Sequence, residues 1–172
     1  ASAASPSTPA ERPPMDPHPN TVNLGPGGGP RVAHALKPGA GILEYQIQAT
    51  LGGGGFGITY LARDANLDLS VAIKEYLPAD LATRVPDGSV QSLGDATDDQ
   101  FRWGLERFLD EARALAAFRH PNIVRVLRYF PANGTAYIVM EYESGESLKR
   151  WMPHRGPLDR MELLRIVNPL LD

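Results

Sequence analysis

The sequence of 172 residues has no cysteine, no excess of basic residues and no long apolar run. Without cysteine the chain cannot form disulfide bonds or bind a metal through thiolates, which is typical of a reducing compartment. The 17 Lys and Arg residues against 20 Asp and Glu residues give a formal net charge of −3, which does not favour nucleic acid as a partner. No apolar stretch approaches the roughly 20 residues of a membrane-spanning helix. We therefore expect a cytoplasmic protein without a membrane segment.

Residues 1–37 are rich in proline and glycine and have few apolar side chains to bury. Such a composition does not offset the conformational entropy that ordering would remove, so we predict a disordered leader. A polyproline ligand at Arg12–Pro14 and phosphorylation at Thr8 or Thr21 are alternative roles for this segment. The remaining residues, in a chain that is 42% apolar, are enough for one packed domain.

A glycine-rich turn between two predicted strands is followed by a lysine on the next strand. Gly52, Gly54 and Gly57 fit the spacing G-x-G-x-x-G, which leaves bare backbone N–H groups free to approach phosphate oxygens. A Rossmann turn would open a helix, but residues 57–64 are β-branched and aromatic and offer no N-cap. A P-loop would need Gly-Lys-Ser/Thr directly after the turn, and this is absent. Instead Lys74 lies on a third strand that is predicted to be buried, so this lysine needs a partner.

The spacing of apolar residues predicts one long helix, capped near residue 97 and ending near residue 118. At about 100° per residue, Glu106 and Asp110 face away from its apolar stripe, whereas Glu111 lies at the edge of that stripe. We therefore predict that Glu111 is the partner of Lys74 and that its loss destabilises the protein by a few kcal/mol. A solvent-facing Glu111 is the alternative. The stripe consists of Phe101, Leu105, Phe108, Leu109, Ala112, Leu115 and Ala116.

The rest of the predicted sheet follows from alternating patterns and turn residues. Asn133-Gly134 joins the last two strands as a hairpin, and Pro86–Gly88 forms the turn of a smaller hairpin within residues 77–97. The role of that connection does not follow from the sequence. A final helix begins at Asp159–Glu162, which has the pattern of a capping box. We predict five strands, at residues 42–51, 57–62, 70–76, 125–130 and 136–142.

The order of glycine-rich turn, strand lysine in Val71–Lys74, helix glutamate and final strand Tyr137–Glu143 resembles the N-terminal lobe of bacterial Ser/Thr protein kinases. The resemblance covers residues 36–172. It implies an α+β fold with a five-stranded antiparallel sheet and one long helix, the αC helix of the family. Residues 38–143 would form the N-lobe, and residues 144–172 would form the first helices of the C-lobe.

The resemblance implies ATP as the ligand and gives each site residue a role. Lys74, anchored by Glu111, would neutralise the α- and β-phosphates. Met140 would be the gatekeeper of the adenine pocket, and Thr59, which replaces the family's usual valine, would make the lid of that pocket slightly more polar. The residues implied to contact the nucleotide are Leu51, Gly52, Gly53, Gly54, Gly55, Phe56, Gly57, Thr59, Ala72, Lys74, Met140, the backbone of Glu141 and Glu143, and Ser147 or Glu146 at the ribose.

The sequence contains neither the H-R-D-x-x-x-x-N motif that supplies a kinase's catalytic base nor the D-F-G motif that binds its metal. We therefore predict no metal site in this chain, expect Mg²⁺ only in the full-length parent, and expect the chain alone to be inactive. The parent would transfer the γ-phosphate of ATP to hydroxyl groups of a protein substrate. A pseudokinase or regulatory module that binds nucleotide or a partner protein without catalysis is the alternative.

The last helix has an apolar face that no other predicted element covers. Such a face usually marks an interface, and exchange of the terminal helices between two copies would bury it symmetrically. We expect a homodimer through this face, which consists of Leu163, Leu164, Val167, Leu170 and Leu171.

Overall fold

The computed structural model describes residues 32–171, and the predicted leader lies outside the described residues as far as residue 31. The strands are β1 (Gly41–Ile42), β2 (Tyr45–Gly54), β3 (Gly57–Asp64), β4 (Leu69–Tyr76), β5 (Ala82–Arg84), β6 (Val90–Ser92), β7 (Val126–Ala132) and β8 (Thr135–Glu141). The helices are α1 (Asp95–Ala117), α2 (Leu148–Arg155) and α3 (Arg160–Leu171).

The main sheet is antiparallel and has the strand order β1-β2-β3-β4-β8-β7. Its five long strands are those predicted, but the first predicted strand is interrupted. Leu43 has a φ of 52°, and the turn that it forms with Glu44 separates the two-residue β1 as a sixth strand. Asn133 and Gly134 have φ values of 51° and 71°, so they form the predicted tight hairpin turn between β7 and β8.

Helix α1 packs closely on the inner face of the sheet, the face that carries Tyr76. The ring of Tyr76 lies 5.3 Å from that of Phe101 and 5.5 Å from that of Phe108, measured between centroids. Gly104 lies between these two helix residues, and a Cβ on it would lie 2.1 Å from the Tyr76 hydroxyl. A glycine inside a helix is unfavourable by about 1 kcal/mol relative to alanine, so its presence reflects the close approach of helix and sheet.

The start of α1 differs from the prediction. The helix begins at Asp95 with Gly94 as its N-cap, and no side chain makes the capping hydrogen bond. Thr97 instead donates its hydroxyl to the Gly94 carbonyl at 2.9 Å, and Asp98 accepts a hydrogen bond from Ser92. The C-terminal end at Ala117 lies within one residue of the prediction. Of the predicted stripe, Phe101, Phe108 and Ala112 are buried, while Ala116 is exposed.

A second layer covers the outer face of the sheet, opposite α1. This outer layer consists of residues 32–40 and the hairpin formed by β5 and β6, which is the small hairpin predicted within residues 77–97. Ala82 and Val90 from the hairpin are buried in the core, and Val32, Ala35 and Leu36 pack against it. The predicted end of the leader at residue 37 is therefore wrong, because residues 32–37 belong to the packed lobe.

Helix α3 begins with the expected capping box. The Glu162 N–H donates to the Asp159 carboxylate at 2.8 Å, and the Asp159 N–H donates to the Glu162 carboxylate at 3.2 Å. Leu163 and Leu164 on α3 remain exposed. Within residues 32–171, no helix is both long enough and apolar enough to cross a membrane.

Candidate functional site

The structure brings together the two charged side chains that the sequence predicts to pair. Lys74 Nζ in β4 lies 3.4 Å from Glu111 Oε1 in α1, and 5.4 Å from the centroid of the Phe108 ring. The two side chains are 32% and 52% exposed, respectively. A pair with this exposure contributes only about 0–1 kcal/mol to stability, so the predicted loss of a few kcal/mol is too large.

The helical periodicity that predicted an inward-facing Glu111 also explains why Asp110 and Glu106 do not reach the sheet. Asp110 faces away from the sheet and pairs with Arg107 at 2.9 Å and with Arg113 at 2.7 Å. Glu106 is exposed. Because successive residues of a helix differ by about 100°, Glu111 is the acidic residue of this stretch that reaches the sheet.

The glycine-rich loop combines one glycine that the fold requires with several that leave open space. Gly57 has a φ of 155°, and a Cβ there would lie 1.9 Å from the Glu75 carbonyl oxygen. By contrast, no atom beyond the adjacent residues of the chain lies within 4 Å of the position that a Cβ would take at Gly52, Gly54 or Gly55. Side chains at these positions would cover the backbone N–H groups of the loop. Without them the loop forms an open concave surface of the kind that binds phosphate oxygens.

The predicted adenine side of the site shares the face of the sheet that carries Lys74. Thr59 in β3 pairs directly with Lys74, and Ala72 in β4 pairs directly with Met140 in β8. Residues paired in this way lie on one face, and residues two apart along a strand share it, so these four side chains form one surface. Leu51 is half-buried near the end of β2 that enters the loop.

The residues after the gatekeeper lie at the margin of the sheet. The Glu141 N–H donates to the Arg125 carbonyl at 3.0 Å, so this N–H is not available to a ligand, and the two side chains lie 3.6 Å apart. Glu143 is exposed beyond β8. Ser147 is the N-cap of α2, and its side chain makes no capping hydrogen bond. Glu143 and Ser147 therefore lie outside the sheet surface that joins Lys74, Thr59, Ala72 and Met140.

A cavity of about 510 Å³ opens beside the Lys74–Glu111 pair, between the tip of the glycine loop and α1. Phe56 from the loop and Trp103 and Arg107 from the helix line it together with that pair. Sequence reasoning identified Phe56, Lys74 and Glu111 as site residues, but it did not identify Trp103 and Arg107. Gly104 within an otherwise regular helical pattern was the available signal, because it indicates a close contact on that side of the helix.

On the outer face, sequence reasoning missed a buried charged group next to Lys74. Glu75 is completely buried, and its carboxylate accepts hydrogen bonds from Tyr60 at 2.7 Å, Tyr137 at 2.8 Å and Arg84 at 2.5 Å. We call these four residues the Glu75 cluster. Burial raises the pKa of both tyrosines well above the ordinary value, and the negative charge of Glu75 raises it further.

The Glu75 cluster also raises the pKa of Arg84. Burial acts to lower the pKa of Arg84, but the hydrogen bond and the charge of Glu75 raise it, and the net direction is upward. The cluster therefore holds the Arg84 guanidinium against the Glu75 side chain inside the protein, and both groups are satisfied by hydrogen bonds.

A family model for the protein kinase domain matches residues 45–172. The chain belongs to the protein kinase family. The Ser/Thr kinase PrkC of Bacillus subtilis is 35% identical over 128 residues, which are 74% of this chain and 17% of PrkC. PknK of Mycobacterium tuberculosis is 37% identical over 118 residues, which are 67% of this chain and 9% of PknK. The chain thus spans a small part of these kinases.

Solved kinase structures agree with the fold. A structure of PpkA-294 in its apo form is 41% identical and has a TM-score of 0.69, with coverage of 72% of this chain and 45% of that chain. The kinase domain of Mycobacterium tuberculosis PknI is 28% identical with a TM-score of 0.58, with coverage of 79% and 48%. These likenesses confirm the predicted kinase N-lobe. Residues 32–40 of the outer layer precede the region that the family model matches.

Proposed function

We propose that this chain is the ATP-binding lobe of a cytoplasmic Ser/Thr protein kinase, and that the complete protein transfers the γ-phosphate of ATP to protein hydroxyl groups. The observation that supports this most is the position of Lys74 Nζ, 3.4 Å from Glu111 and on the strand next to the open glycine loop. A lysine held in this way by a helix glutamate supplies positive charge for the α- and β-phosphates.

The residues present fit a nucleotide. The open backbone at Gly52, Gly54 and Gly55 suits phosphate oxygens, since a Cβ would otherwise occupy that space. When bound, ATP would supply the phosphoryl group, and Lys74 would bind the negatively charged phosphates while Glu111 orients its ammonium. The other residues that we assign to the nucleotide are Leu51, Gly53, Phe56, Gly57, Thr59, Ala72, Met140, Glu141, Glu143 and Ser147.

The metal and the catalytic base are not assigned to this chain. Among residues 32–171, no group of three or more His, Asp or Glu side chains could hold a metal ion. The sequence has neither of the two kinase motifs that supply the base and the metal ligands. We therefore propose that the chain binds nucleotide, and that Mg²⁺ and catalysis belong to the complete kinase.

The test is a calorimetric titration of the chain with ATP. We expect weak binding that Lys74→Met removes, because the substitution deletes the charge facing the phosphates and leaves the core intact. Lys37→Met is the matched control, since Lys37 is exposed and has the same charge. Circular dichroism checks that both variants are folded. Unchanged ATP affinity in Lys74→Met, or no ATP binding by the unmodified chain, would contradict the proposal.

We also propose that the chain forms a homodimer through the apolar face of α3. Leu163 and Leu164 are 49% and 38% exposed, and adjacent exposed apolar side chains favour an interface. Light scattering should show a dimer that Leu164→Glu converts to monomer. Leu69→Glu, at a comparably exposed leucine on β4, should leave the dimer unchanged. A monomer at high micromolar concentration would refute the dimer.

A further inference from the structure

Besides apolar packing and several backbone hydrogen bonds, one arginine joins both parts of the outer layer to the sheet. Arg84 Nη2 lies 2.5 Å from the Glu75 carboxylate, its Nε donates to the His34 carbonyl at 2.8 Å, and its Nη1 donates to the Gly88 carbonyl at 2.7 Å. A single guanidinium therefore joins the sheet, the turn of the β5–β6 hairpin and the segment that precedes the sheet. Its planar fork of donors suits this geometry, which a lysine could not reproduce.

The ion pair between Arg84 and Glu75 is buried, and this burial favours one arrangement of the outer layer on the sheet. Arg84 is 10% exposed and Glu75 is fully buried. A protein in which apolar residues replace a buried ion pair is often equally stable. We therefore take the main role of this pair to be structural: it fixes the position of the outer layer on the sheet. In the part of the chain that the structure describes, every buried side-chain nitrogen and oxygen has a hydrogen-bond partner.

The outer layer contacts the glycine-rich loop at Gly53, and the connection from β4 to the hairpin contacts the tip of the loop. Val32 occupies the space beside Gly53, where a Cβ would lie 2.6 Å from its side chain. The Leu77 N–H, at the start of the connection to the hairpin, donates to the carbonyl of Phe56 at the tip of the loop at 3.3 Å. The arrangement of the loop therefore depends on residues outside the nucleotide site.

The same layer leads directly into α1. Only Leu93 and Gly94 separate β6 from the helix. The Leu93 N–H donates to the Leu81 carbonyl at 2.9 Å, and Ser92 donates to Asp98 in the first turn of the helix at 2.5 Å. The hairpin thus sets where α1 begins, and the rigid helix carries that position to Glu111, roughly 24 Å further along at 1.5 Å per residue.

We infer that Arg84 and Glu75 are positioning residues of the kinase site: they fasten the outer layer to the sheet, and the outer layer holds the glycine loop and α1 where Glu111 meets Lys74. The inference rests on the proposed function for the importance of the Lys74–Glu111 pair, since that pair must be in place for a kinase to act. The coupling itself is a property of the folded chain and can be measured without nucleotide.

The test uses lysine as a spectroscopic probe. The sequence has three lysines, so a chain labelled with ¹³C-lysine gives few side-chain NMR signals, and Lys74→Met assigns the signal of interest. Glu111→Gln defines where this signal lies when the pair is broken. We expect Arg84→Met to move the Lys74 signal most of the way to that position at a temperature where circular dichroism shows a folded chain.

The controls separate positioning from a general loss of stability. Arg63→Met removes another paired arginine of the same sheet, whose partner Asp68 lies in the turn between β3 and β4, and should leave the Lys74 signal in place. Arg84→Lys, which keeps the charge but not the fork, should give an intermediate shift. A merely stabilising role for Arg84 would lower the melting temperature without moving the Lys74 signal of the folded state, and this outcome would overturn the inference.

A second variant covers the case in which Arg84→Met does not fold. The double variant Glu75→Gln with Arg84→Met removes both charges of the buried pair and should fold while still shifting the Lys74 signal. A wild-type signal in this folded double variant would also overturn the inference. If Lys74→Met leaves ATP binding unchanged while Arg84→Met moves the signal, the proposed function fails and the positioning role stands.

Discussion

Lys74 and Glu75 are adjacent in β4, face opposite sides of the sheet, and each forms one ion pair. Lys74 meets Glu111 at 3.4 Å on the inner face, where both side chains are partly exposed. Glu75 meets Arg84 at 2.5 Å on the outer face, where both are buried and two tyrosines complete the hydrogen bonds. The accessible pair remains free to bind a ligand, whereas the buried pair is saturated by protein groups.

This difference in exposure predicts that the two ion pairs contribute very different amounts to the free energy of unfolding. An exposed pair contributes about 0–1 kcal/mol, because water and ions screen it. Removing one partner of a buried pair leaves an uncompensated charge and typically destabilises by about 3–5 kcal/mol. The pair that we assign to function is therefore expected to matter little for stability, and the pair that no ligand reaches is expected to matter most.

The largest effect is expected from Arg84→Met. The substitution leaves the Glu75 carboxylate buried without its counter-charge and should lower the free energy of unfolding by about 3–5 kcal/mol in urea titrations. Arg63→Met, which breaks the more exposed pair with Asp68, should cost at most about 1 kcal/mol. Equal effects of the two substitutions would show that the outer pair is no stronger than a surface pair.

The glycine loop should show the same contrast at the level of the backbone. Gly57→Ala places a Cβ against the Glu75 carbonyl at a φ that favours glycine, and should destabilise the chain by about 3 kcal/mol in the same titrations. Gly54→Ala meets no neighbouring atom and should change stability by less than about 1 kcal/mol. A large loss in Gly54→Ala would mean that this glycine, too, serves the fold.

Alkaline pH should weaken the outer face selectively. The raised pKa of Tyr60 and Tyr137 means that the folded chain keeps both phenolic protons above pH 10, the ordinary tyrosine value, while the unfolded chain releases them. Their contribution is therefore fully present below about pH 10 and is lost as the pH rises further, at about 1.4 kcal/mol per pH unit for each tyrosine.

Unfolding measured between pH 8 and pH 12, a range of roughly four units around the ordinary tyrosine pKa, checks this expectation. Tyr60→Phe should give a shallower loss of stability with pH than the unmodified chain. Tyr129→Phe, at a more exposed tyrosine, is the control and should keep the original slope. An unchanged slope in Tyr60→Phe would show that the Glu75 cluster does not hold this proton.

The smallest effect is expected from Glu111→Gln. Because the pair with Lys74 is about half exposed, its loss should lower the free energy of unfolding by at most about 1 kcal/mol. Glu106→Gln on the exposed side of the helix should have no measurable effect in the same denaturant titration. A loss of several kcal/mol in Glu111→Gln would remove the contrast between the two faces of β4.

Local patterns were enough to predict much of the fold and the pairing at the site. Asn133-Gly134 predicts a hairpin because these two residues tolerate the positive φ that the turn requires. The phase of α1 separates Glu111 from Glu106 because helical geometry is regular. Each of these features depends on residues that are close to one another in the sequence.

The features that the sequence did not predict depend on distant residues. Glu75 finds its partners 9, 15 and 62 positions away in Arg84, Tyr60 and Tyr137. Composition led to a leader as far as residue 37, yet Val32 and Leu36 pack on the sheet. No local pattern shows that a segment rich in proline and glycine will meet a sheet face and a hairpin that follow later in the chain.

The sequence by itself determined the antiparallel strands, the long helix, the glycine loop and the pairing of Lys74 with Glu111. Only the tertiary structure decided how strongly each charge in β4 is held. Strand alternation places Lys74 and Glu75 on opposite faces, but burial depends on what covers each face, and the outer layer covers Glu75 completely. Since the strength of an ion pair depends on its removal from water, two neighbouring charges acquired different roles.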